Sequence, residues 1–245
     1  MAKKRKNLKT AGKSLQNNRR ITSGIPGFDR LCEGGLLPRS INLVTGGAGT
    51  GKTIFGMQFL HEGIKRGEKG LFISFEEDLE DLKGDAENFG WNFTKCEEDG
   101  SCAFLYYYPY ELEDFQTRLI SEVQRINAKR VVIDSTSAFG MAFGNEYEIR
   151  KALYSLSMQL KKLECTAIIT SEIVGEVRDP ENRELKRVSR FNVEEFVCDS
   201  VIVLDIIEES KKCNRSVEIL KMRRTAHRQG ESPMLITKSG IIVKG

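Results

Sequence analysis

The sequence predicts an α/β fold: a mainly parallel, twisted sheet flanked by helices, with an antiparallel extension at its C-terminal end. From about Arg20, short apolar runs alternate with longer amphipathic stretches, a pattern that gives right-handed crossovers and parallel strands. From Val201 onward, apolar runs follow one another without helix-like stretches, which predicts the antiparallel part. No repeat and no second domain is predicted, because 245 residues suit one large domain with a substantial core.

The predicted strands are β-branched or aromatic, and several are apolar throughout, as strands covered on both faces should be. They are residues 41–46, 70–75, 102–108, 130–134, 166–171 and 201–205, followed by 216–222, 233–237 and 241–243. Helices are predicted over residues 52–66, 78–90, 111–127 and 146–163. In the last of these helices, Ile149, Leu153, Leu156 and Leu160 recur three or four residues apart and share one face.

The composition excludes several classes of protein. No run approaches the roughly 20 apolar residues that cross a bilayer, and the N-terminus lacks an apolar signal segment, so we expect a cytoplasmic protein without a membrane partner. The six cysteines include no CxxC pair and only two histidines are present, so a structural zinc site is rejected. Cysteines within apolar stretches, such as Cys165, are predicted to be reduced thiols in the core.

The N-terminal arm, residues 1–20, holds eight Lys and Arg and no Asp or Glu. The whole chain has 38 basic and 35 acidic residues, so the remainder has 30 against 35, a net charge of −5. The arm has too few apolar groups to fold alone, and we expect it to be disordered, with residues 21–245 as the folded domain. Contact with nucleic acid or a partner explains its charge, and so does a solubilising role, so no function is assigned to it.

Residues 46–53, GGAGTGKT, match G-x-x-x-x-G-K-[ST] between a predicted strand and a predicted helix. This phosphate-loop context predicts nucleotide binding. Amide N–H groups of such a loop turn inward around phosphate oxygens, and the following helix directs its positive end at the same anion. Lys52 would reach the β- and γ-phosphates, and the Thr53 hydroxyl would bind Mg²⁺. The other predicted nucleotide contacts of the loop are Gly47, Ala48, Gly49, Thr50 and Gly51.

Acidic strand ends supply the rest of the predicted chemistry. Asp134 ends the apolar run RVVID, where it would hold Mg²⁺ through water. Glu76 and Glu77 end ISFEE at the same edge of a parallel sheet, and one carboxylate would activate water while its neighbour orients it or raises its pKa. An acidic first turn of a helix would also explain this pair. Ser171 or Glu172, at the end of TAIITSE, is either a γ-phosphate sensor or part of a solvated strand end.

Six ordered blocks of the sequence resemble the KaiC-like ATPases, a family with the RecA fold. The blocks are ITSGIPGFDRLCEGGLLPRSINLVTGGAGTGKT, LFISFEE, NFGW, RVVIDS, RFNVEEFVCDSVIVL and ILKMRRTAHRQGESPMLIT. The resemblance runs from about Ile21 to the C-terminus, and it is specific because several blocks are unrelated to generic phosphate binding. It implies a RecA-like core that assembles as a homo-oligomer, commonly a hexameric ring, with ATP between subunits.

The resemblance also assigns roles to particular residues. The paired glutamates match the family, and Glu76 is favoured as the water-activating residue. The family's K-x-R block matches Lys221 and Arg223, which would reach the γ-phosphate of the neighbouring subunit, where such an arginine is worth about 10³–10⁵ in rate. Asn88 would lie near the base on the subunit's own side. The further residues that would line the nucleotide from the neighbour are Met222, Thr225 and His227. Without the resemblance, KMRRTAHRQG is typical of a basic, solvated hairpin.

The chain departs from the family's namesake in two respects. The namesake carries two tandem copies of this domain, whereas this chain has one. The autophosphorylated Ser/Thr pair of the second copy has no counterpart here, so neither autokinase activity nor a role in a circadian clock is expected. The sequence resembles instead the single-domain relatives that are common in archaea. We therefore expect a Mg-dependent ATPase with a regulatory or signalling role and an unidentified protein partner.

Two alternatives belong to other functional classes. One is a RecA- or RadA-like DNA recombination or repair ATPase. The basic arm and the loop over residues 174–191 favour it, and the net charge of −5 on residues 21–245 disfavours it. A salt-dependent shift with single-stranded DNA would support it. The other is a non-hydrolysing nucleotide switch, which the glutamate pair disfavours and measured turnover would exclude. The basic residues of the loop are Arg178, Arg183, Lys186, Arg187 and Arg190.

Overall fold

A nine-stranded sheet in the order β3-β2-β4-β5-β1-β6-β7-β8-β9 forms the centre of the protein. The computed structural model describes residues 20–108, 114–175, 177–179, 184–206 and 215–244. The strands are β1 (Ile41–Gly46), β2 (Gly70–Ser74), β3 (Cys102–Tyr106), β4 (Arg130–Asp134), β5 (Thr166–Glu172), β6 (Ser200–Ile206), β7 (Arg215–Met222), β8 (Ser232–Thr237) and β9 (Gly240–Val243).

The sheet has the predicted division into parallel and antiparallel parts. Strands β1 to β6 run parallel to one another, and β7, β8 and β9 add antiparallel strands beside β6. Each predicted strand is present, with bounds that differ from the prediction by two residues at most. The predicted α/β fold with an antiparallel C-terminal extension is therefore confirmed.

Four of the helices were predicted and three were not. The helices within the described residues are α1 (Lys52–Lys65), α2 (Leu79–Glu87), α3 (Phe93–Glu98), α4 (Phe115–Ile126), α5 (Phe139–Ala142), α6 (Glu146–Lys162) and α7 (Glu194–Val197). The unpredicted α3, α5 and α7 have six, four and four residues, too few to show a helical period. The predicted start of α4 at residues 111–113 lies outside the described residues.

Each face of the sheet carries its own apolar core. Neighbouring side chains of β1 point to opposite faces, so Leu43 packs in one cluster with α4 and α6, while Val44 packs in the other with α1, α2 and α3. The predicted apolar face of α6 is buried: Ile149, Leu153, Leu156 and Leu160. Coverage on both faces explains why the parallel strands are apolar almost throughout.

The parallel strands bring several polar residues to one edge of the sheet. Gly46, Ser74, Asp134 and Glu172 are the last residues of β1, β2, β4 and β5. The register pairs Gly46 with Glu172 on one side and with Leu204 on the other. Ligands of open parallel sheets bind at this carboxyl edge, which we call the phosphate edge.

The burial of Cys165 agrees with the sequence. Within the described residues five cysteines are free, and Cys165 is fully buried as predicted; Cys213 lies outside them. No helix in the described part of the chain is long and apolar enough to cross a membrane.

Arg20, the last residue assigned to the N-terminal arm, is held against the domain. Its guanidinium group donates a 2.8 Å hydrogen bond to Thr225 Oγ1 and forms a 2.5 Å ion pair with Glu33. Residues 1–19 of the predicted arm lie outside the described residues.

Candidate active site

The phosphate loop depends on glycine at its first position. Gly46 has φ 158°, and a Cβ atom there would lie 2.2 Å from the carbonyl oxygen of Leu204. Gly51, directly before α1, has φ 102°, a left-handed conformation that favours glycine. These two residues allow the chain to turn sharply from β1 into the first turn of α1.

The Lys52 side chain folds back over the loop. Its Nζ donates hydrogen bonds to the carbonyl oxygens of Gly46 at 3.1 Å and Gly47 at 2.7 Å. Partial burial lowers the pKa of Lys52, and the carboxylates of Glu172, Asp134 and Glu76 oppose this shift. The lysine thus places a cation at the centre of the loop, where a phosphate tail would need one.

Asp134 and Thr53 are in contact, as a shared metal site requires. The Asp134 carboxylate accepts hydrogen bonds from Thr53 and from Thr170 Oγ1. It keeps some exposed surface towards the cavity, but protein surrounds it on its other sides, and this desolvation raises its pKa. The two hydrogen bonds and Lys52 act in the opposite direction. The oxygen atoms of Thr53 and Asp134 are therefore close enough to bind one cation together.

The two glutamates are exposed and are held by different partners. Ser135 Oγ donates a 2.6 Å hydrogen bond to Glu76 Oε1. The main chain of Glu77 makes two hydrogen bonds with Ser74 Oγ, at 2.6 and 3.0 Å. Partial desolvation, reinforced by the charge of Asp134, raises the pKa of Glu77. Among the described residues, Ser135, which follows the candidate metal ligand Asp134, thus fixes the carboxylate of Glu76 but not that of Glu77.

Two adjoining cavities lie over the loop and share Gly49, Lys52, Thr53 and Glu77. One has a volume of about 210 Å³ and is also lined by Glu76, Asp134, Ser135 and Glu172, among others. The other has a volume of about 420 Å³ and is lined on its far side by Asn88, Phe89, Asp85, Met57 and Ile236. The acidic cavity suits a metal and the terminal phosphates, and the larger one has room for a nucleoside with Asn88 beside it.

The two candidate sensor residues at the end of β5 point in different directions. Glu172 lines the acidic cavity. Ser171 is fully buried, and its Oγ donates a 2.9 Å hydrogen bond to Glu194 Oε1. Glu172 therefore faces the acidic cavity, whereas Ser171 points away from it because successive residues of a strand alternate.

The K-x-R pair lies at the opposite edge of the sheet from the phosphate loop. Met222, between Lys221 and Arg223, pairs with Ser200 of β6, which pairs with Asn42 of β1. Asn42 precedes Gly46 by four residues, about 13 Å along the strand. Since β7 is also two strands away from β1, neither Lys221 nor Arg223 reaches the phosphate loop of its own chain.

Both cations of the pair are oriented by the segment that precedes β6. Lys221 Nζ donates 2.8 Å hydrogen bonds to the carbonyl oxygens of Glu195 and Cys198. Desolvation, followed by the charge of Arg223, lowers the pKa of Lys221. Arg223 Nη1 lies 3.5 Å from Asp199 Oδ1, and the Arg223 side chain is 51% exposed. The arginine is thus positioned at one end and accessible to another molecule.

The other residues expected to contact a neighbour's nucleotide differ in exposure. Met222 is 7% exposed and packs in its own chain's core, so its side chain offers little surface to a neighbour. Thr225 Oγ1 donates a 3.1 Å hydrogen bond to the Arg223 carbonyl oxygen and accepts one from Arg20. His227 is partly exposed, with Nδ1 3.2 Å from the carbonyl oxygen of Arg228.

Two residues of the site were missed by sequence reasoning. Arg215, the first residue of β7, donates hydrogen bonds to the Gly49 carbonyl oxygen at 3.2 and 3.0 Å and lines the larger cavity. Nothing local in the sequence signals this contact, because it depends on β7 pairing with β6. Ser135 is the second; a small polar residue directly after Asp134 is a signal that could have been read.

The predicted basic loop after β5 is partly engaged in ion pairs within the protein. Arg178 has a side chain 9% exposed and pairs with Glu218, with Glu231 at 2.7 Å and with Asp205 at 3.7 Å. Lys186 lies 3.4 Å from Asp179. Arg183 lies outside the described residues. The guanidinium group of Arg178 is therefore engaged by carboxylates of its own domain and does not form an exposed basic surface for DNA.

One family model and several curated proteins match nearly the whole chain. Residues 21–245 match the family model described as "ATPase: KaiC". The chain is 36% identical over 236 residues to circadian clock protein KaiC3 of Synechocystis sp., an alignment that covers 91% of this chain and 45% of that protein. It is 35% identical over 228 residues to circadian clock oscillator protein KaiC of Synechococcus elongatus, covering 89% and 42%. The chain thus spans about half the length of the curated relatives it matches.

A solved structure matches over its full length. The KaiC-like protein PH0186 from the archaeon Pyrococcus horikoshii is 38% identical and superposes with a TM-score of 0.82. The superposition covers 94% of this chain and 100% of the other. The mixed α/β fold with a mostly parallel sheet is therefore the RecA-like fold of that KaiC-like structure.

Proposed function

Because this chain belongs to the KaiC family of ATPases, we propose that it binds and hydrolyses ATP as a homo-oligomer with its nucleotides between subunits. The observation that carries the proposal is the separation, within one chain, of the phosphate loop from Lys221 and Arg223 at opposite edges of the sheet. A second copy of the chain can bring those cations to the nucleotide, and a closed ring, commonly a hexamer, would complete each site in the same way.

The residues present fit Mg²⁺ as well as ATP. Mg²⁺ prefers oxygen ligands and keeps several waters, and the Thr53 hydroxyl and the Asp134 carboxylate already meet beside the cavity. Among the described residues no group of three or more His, Cys, Asp or Glu side chains is arranged to hold a metal, so phosphate and water oxygens would complete the coordination. When bound, Mg²⁺ supplies charge neutralisation at the β- and γ-phosphates.

Glu76 is the best-placed residue to activate water. It lines the acidic cavity with Lys52, and Ser135 fixes one of its carboxylate oxygens at 2.6 Å. The second oxygen would accept a hydrogen bond from water and take its proton as the water oxygen bonds to the γ-phosphorus. The bond from that phosphorus to the β–γ bridging oxygen would break in the same step, with ADP as the leaving group. Lys52 would hold the γ-phosphate oxygens, and Arg223 of a neighbouring copy would balance the charge that develops on them.

We propose that ATP hydrolysis has a regulatory or signalling role. It would change the oligomer and thereby act on an unidentified protein partner. The named relatives are circadian clock proteins, but this chain spans about half their length, so that role is not transferred. Nucleic acid is a less favoured partner, because Arg178 of the predicted DNA-binding loop is engaged with carboxylates of its own domain.

The mass of the protein in solution, measured with and without ATP and Mg²⁺ alongside phosphate release, tests the proposal. We expect a discrete species near six times the 27.7 kDa chain, with steady release of phosphate. Lys52→Ala serves as the control for contaminating ATPases. A monomer that releases no phosphate would contradict the proposal. An oligomer that binds ATP without release would support the passive switch, and growth into large species with single-stranded DNA would support the recombinase alternative.

A further inference from the structure

Residues 189–199 cross one face of the sheet from the phosphate edge to the opposite edge. At the phosphate edge, the Arg190 amide donates a 3.2 Å hydrogen bond to Ser171 Oγ, and Ser171 pairs with Thr45 of β1. At the opposite edge, the Asp199 amide donates a 2.7 Å hydrogen bond to the carbonyl oxygen of Ile41, where β1 begins. One short segment that contains α7 thus connects the two edges.

Glu194 anchors the phosphate-edge end of this segment. It is fully buried, and its two carboxylate oxygens accept hydrogen bonds from Ser171 Oγ at 2.9 Å and Ser189 Oγ at 2.8 Å. The amides of Phe191 and Val193 donate two more, each at 3.2 Å. Three of these four donors reach Oε2 and one reaches Oε1, so both carboxylate oxygens are held by the protein. Burial of a carboxylate is costly without such hydrogen bonds, so these contacts hold Glu194 at the end of β5.

The other end of the segment holds the K-x-R pair. Lys221 donates to carbonyl oxygens of Glu195 and Cys198, the residues within and directly after α7. The Arg223 amide donates a 3.0 Å hydrogen bond to the Asp199 carbonyl oxygen, and its guanidinium group lies near the Asp199 carboxylate. The position of Lys221 therefore depends directly on where α7 lies. That of Arg223 depends on it through Asp199, two residues after α7, which the Ile41 amide and Lys161 also hold.

We propose that Glu194 is a positioning residue, which fixes α7 and thereby Lys221 and Arg223 in the geometry that a neighbouring subunit's nucleotide requires. The inference rests on the proposed function, since it needs a site shared between copies. α7 has four residues and cannot hold its own shape without tertiary contacts. Glu194, at its first position, ties it to the end of β5. A displacement of about 1 Å in a catalytic group can cost about 10² in rate, so loss of this anchor would lower turnover.

Complementary inactive subunits allow the effect to be assigned to one side of the shared site. A Lys52→Ala subunit lacks a working phosphate loop but still offers Arg223 to its neighbour's nucleotide as an arginine finger. An Arg223→Ala subunit has the working phosphate loop but no arginine finger. Their mixture contains sites made of one working half from each, and its phosphate release is the reference. Glu194→Gln is then placed either in the finger-donating subunit or in the loop-donating subunit.

We expect the effect to depend on which subunit carries the change. In the finger donor, Glu194→Gln should lower the kcat of the mixture by about tenfold or more, with the KM for ATP within about twofold. In the loop donor it should leave the reference activity intact within the same margin. Equal losses in both arrangements, or no loss in the finger donor, would overturn the inference. A reference mixture without activity would contradict the shared site itself, which is a separate result.

Ser189→Ala provides a milder second variant if Glu194→Gln does not assemble. It removes one of the four hydrogen bonds to Glu194, together with the contact between Ser189 Oγ and Glu195 Oε2, and leaves the Glu194 carboxylate in place. We expect a smaller loss of kcat, about two- to fivefold, again only in the finger donor, which corresponds to the roughly 0.5–1 kcal/mol of one hydrogen bond. If Ser189→Ala gives the same activity in the finger donor and in the loop donor, the proposed role of Glu194 is overturned. This comparison does not depend on the stability of the variant.

Discussion

Ser135 donates a 2.6 Å hydrogen bond to Oε1 of Glu76. Ser135 follows Asp134 directly, so the strand end that carries the candidate metal ligand also orients the candidate base. The same hydroxyl accepts a 3.2 Å hydrogen bond from the Ser137 amide, and Ser135 thereby caps the short 3-10 turn Thr136–Ala138 that follows β4. The candidate metal ligand and the candidate base are thus connected through adjacent residues of one loop.

Replacing Glu76 by Gln should abolish turnover and spare ATP binding. The amide cannot accept a proton from water, and loss of general base catalysis costs about 10²–10⁴ in rate. Single-turnover phosphate release and an ATP-binding titration measure the two effects. Glu77→Gln is the matched control and should reduce turnover less, because its side chain lacks the hydrogen bond from Ser135. Wild-type turnover in Glu76→Gln would remove this residue as the base.

Replacing Lys52 by Ala should abolish ATP binding at micromolar concentrations. Its ammonium group lies over the loop, within hydrogen-bond distance of the Gly46 and Gly47 carbonyl oxygens, and a charge-assisted contact with phosphate is lost with it. Isothermal titration with ATP and Mg²⁺ measures the change. Lys65→Ala, at the exposed end of the same helix, should bind ATP normally. Unchanged affinity in Lys52→Ala would contradict the assigned nucleotide site.

Asp134 should make the nucleotide-free protein less stable as the pH rises. Burial raises the pKa of Asp134 above its ordinary 3.8, so the folded state holds this proton more tightly than the unfolded state does. The stabilisation is complete below the ordinary value and is lost as the pH rises through the raised one. Glu77, whose pKa is also raised, contributes in the same direction.

Urea unfolding of nucleotide-free protein at several pH values above 4 checks the prediction for Asp134. Asp134→Asn removes the buried charge and should flatten the decline relative to wild type. Asp114→Asn, an exposed residue before α4, should keep the wild-type slope. Identical pH dependence in wild type and Asp134→Asn would show that this carboxyl group does not titrate as its surroundings indicate.

Arg178 should matter for stability more than for nucleic acid binding. Its guanidinium group is buried among Glu218, Glu231 and Asp205, and removal of one partner from a buried ion cluster costs about 3–5 kcal/mol. Arg178→Ala should therefore unfold at markedly lower urea concentration. Arg187→Ala, an exposed change in the same loop, should stay within about 0.5 kcal/mol of wild type. Wild-type stability of Arg178→Ala combined with lost DNA binding would instead favour the recombinase alternative.

Local sequence signals predicted the sheet and the phosphate edge, because both depend on short-range patterns. Apolar runs bounded by turns gave the strands, and their polar last residues, Asp134 and Glu172 among them, met at one edge as parallel strands require. Gly46 and Lys52 were recognisable because the loop is contiguous in sequence. The roles of Glu76, Arg223 and the other site residues remain predictions.

Contacts between distant segments were not predictable in the same way. Arg215 reaches Gly49 only because β7 pairs with β6 beside the loop. Ser171, read as a candidate phosphate sensor, turns to the buried Glu194, which lies on a four-residue helix without a recognisable period. The family resemblance supplied Arg223, but its place at the edge opposite the phosphate loop became clear only from the strand register.

Phosphate release by a mixture of Lys52→Ala and Arg223→Ala subunits tests the shared site most directly. Each variant alone should be inactive, because Lys52→Ala lacks a working phosphate loop and Arg223→Ala lacks the arginine that reaches the neighbour's nucleotide. Mixed under conditions that allow subunits to exchange, they should recover a measurable fraction of wild-type turnover, greatest near equal amounts. No recovery at any ratio, in oligomers shown to contain both variants, would contradict a nucleotide site completed by Arg223 of a neighbouring copy.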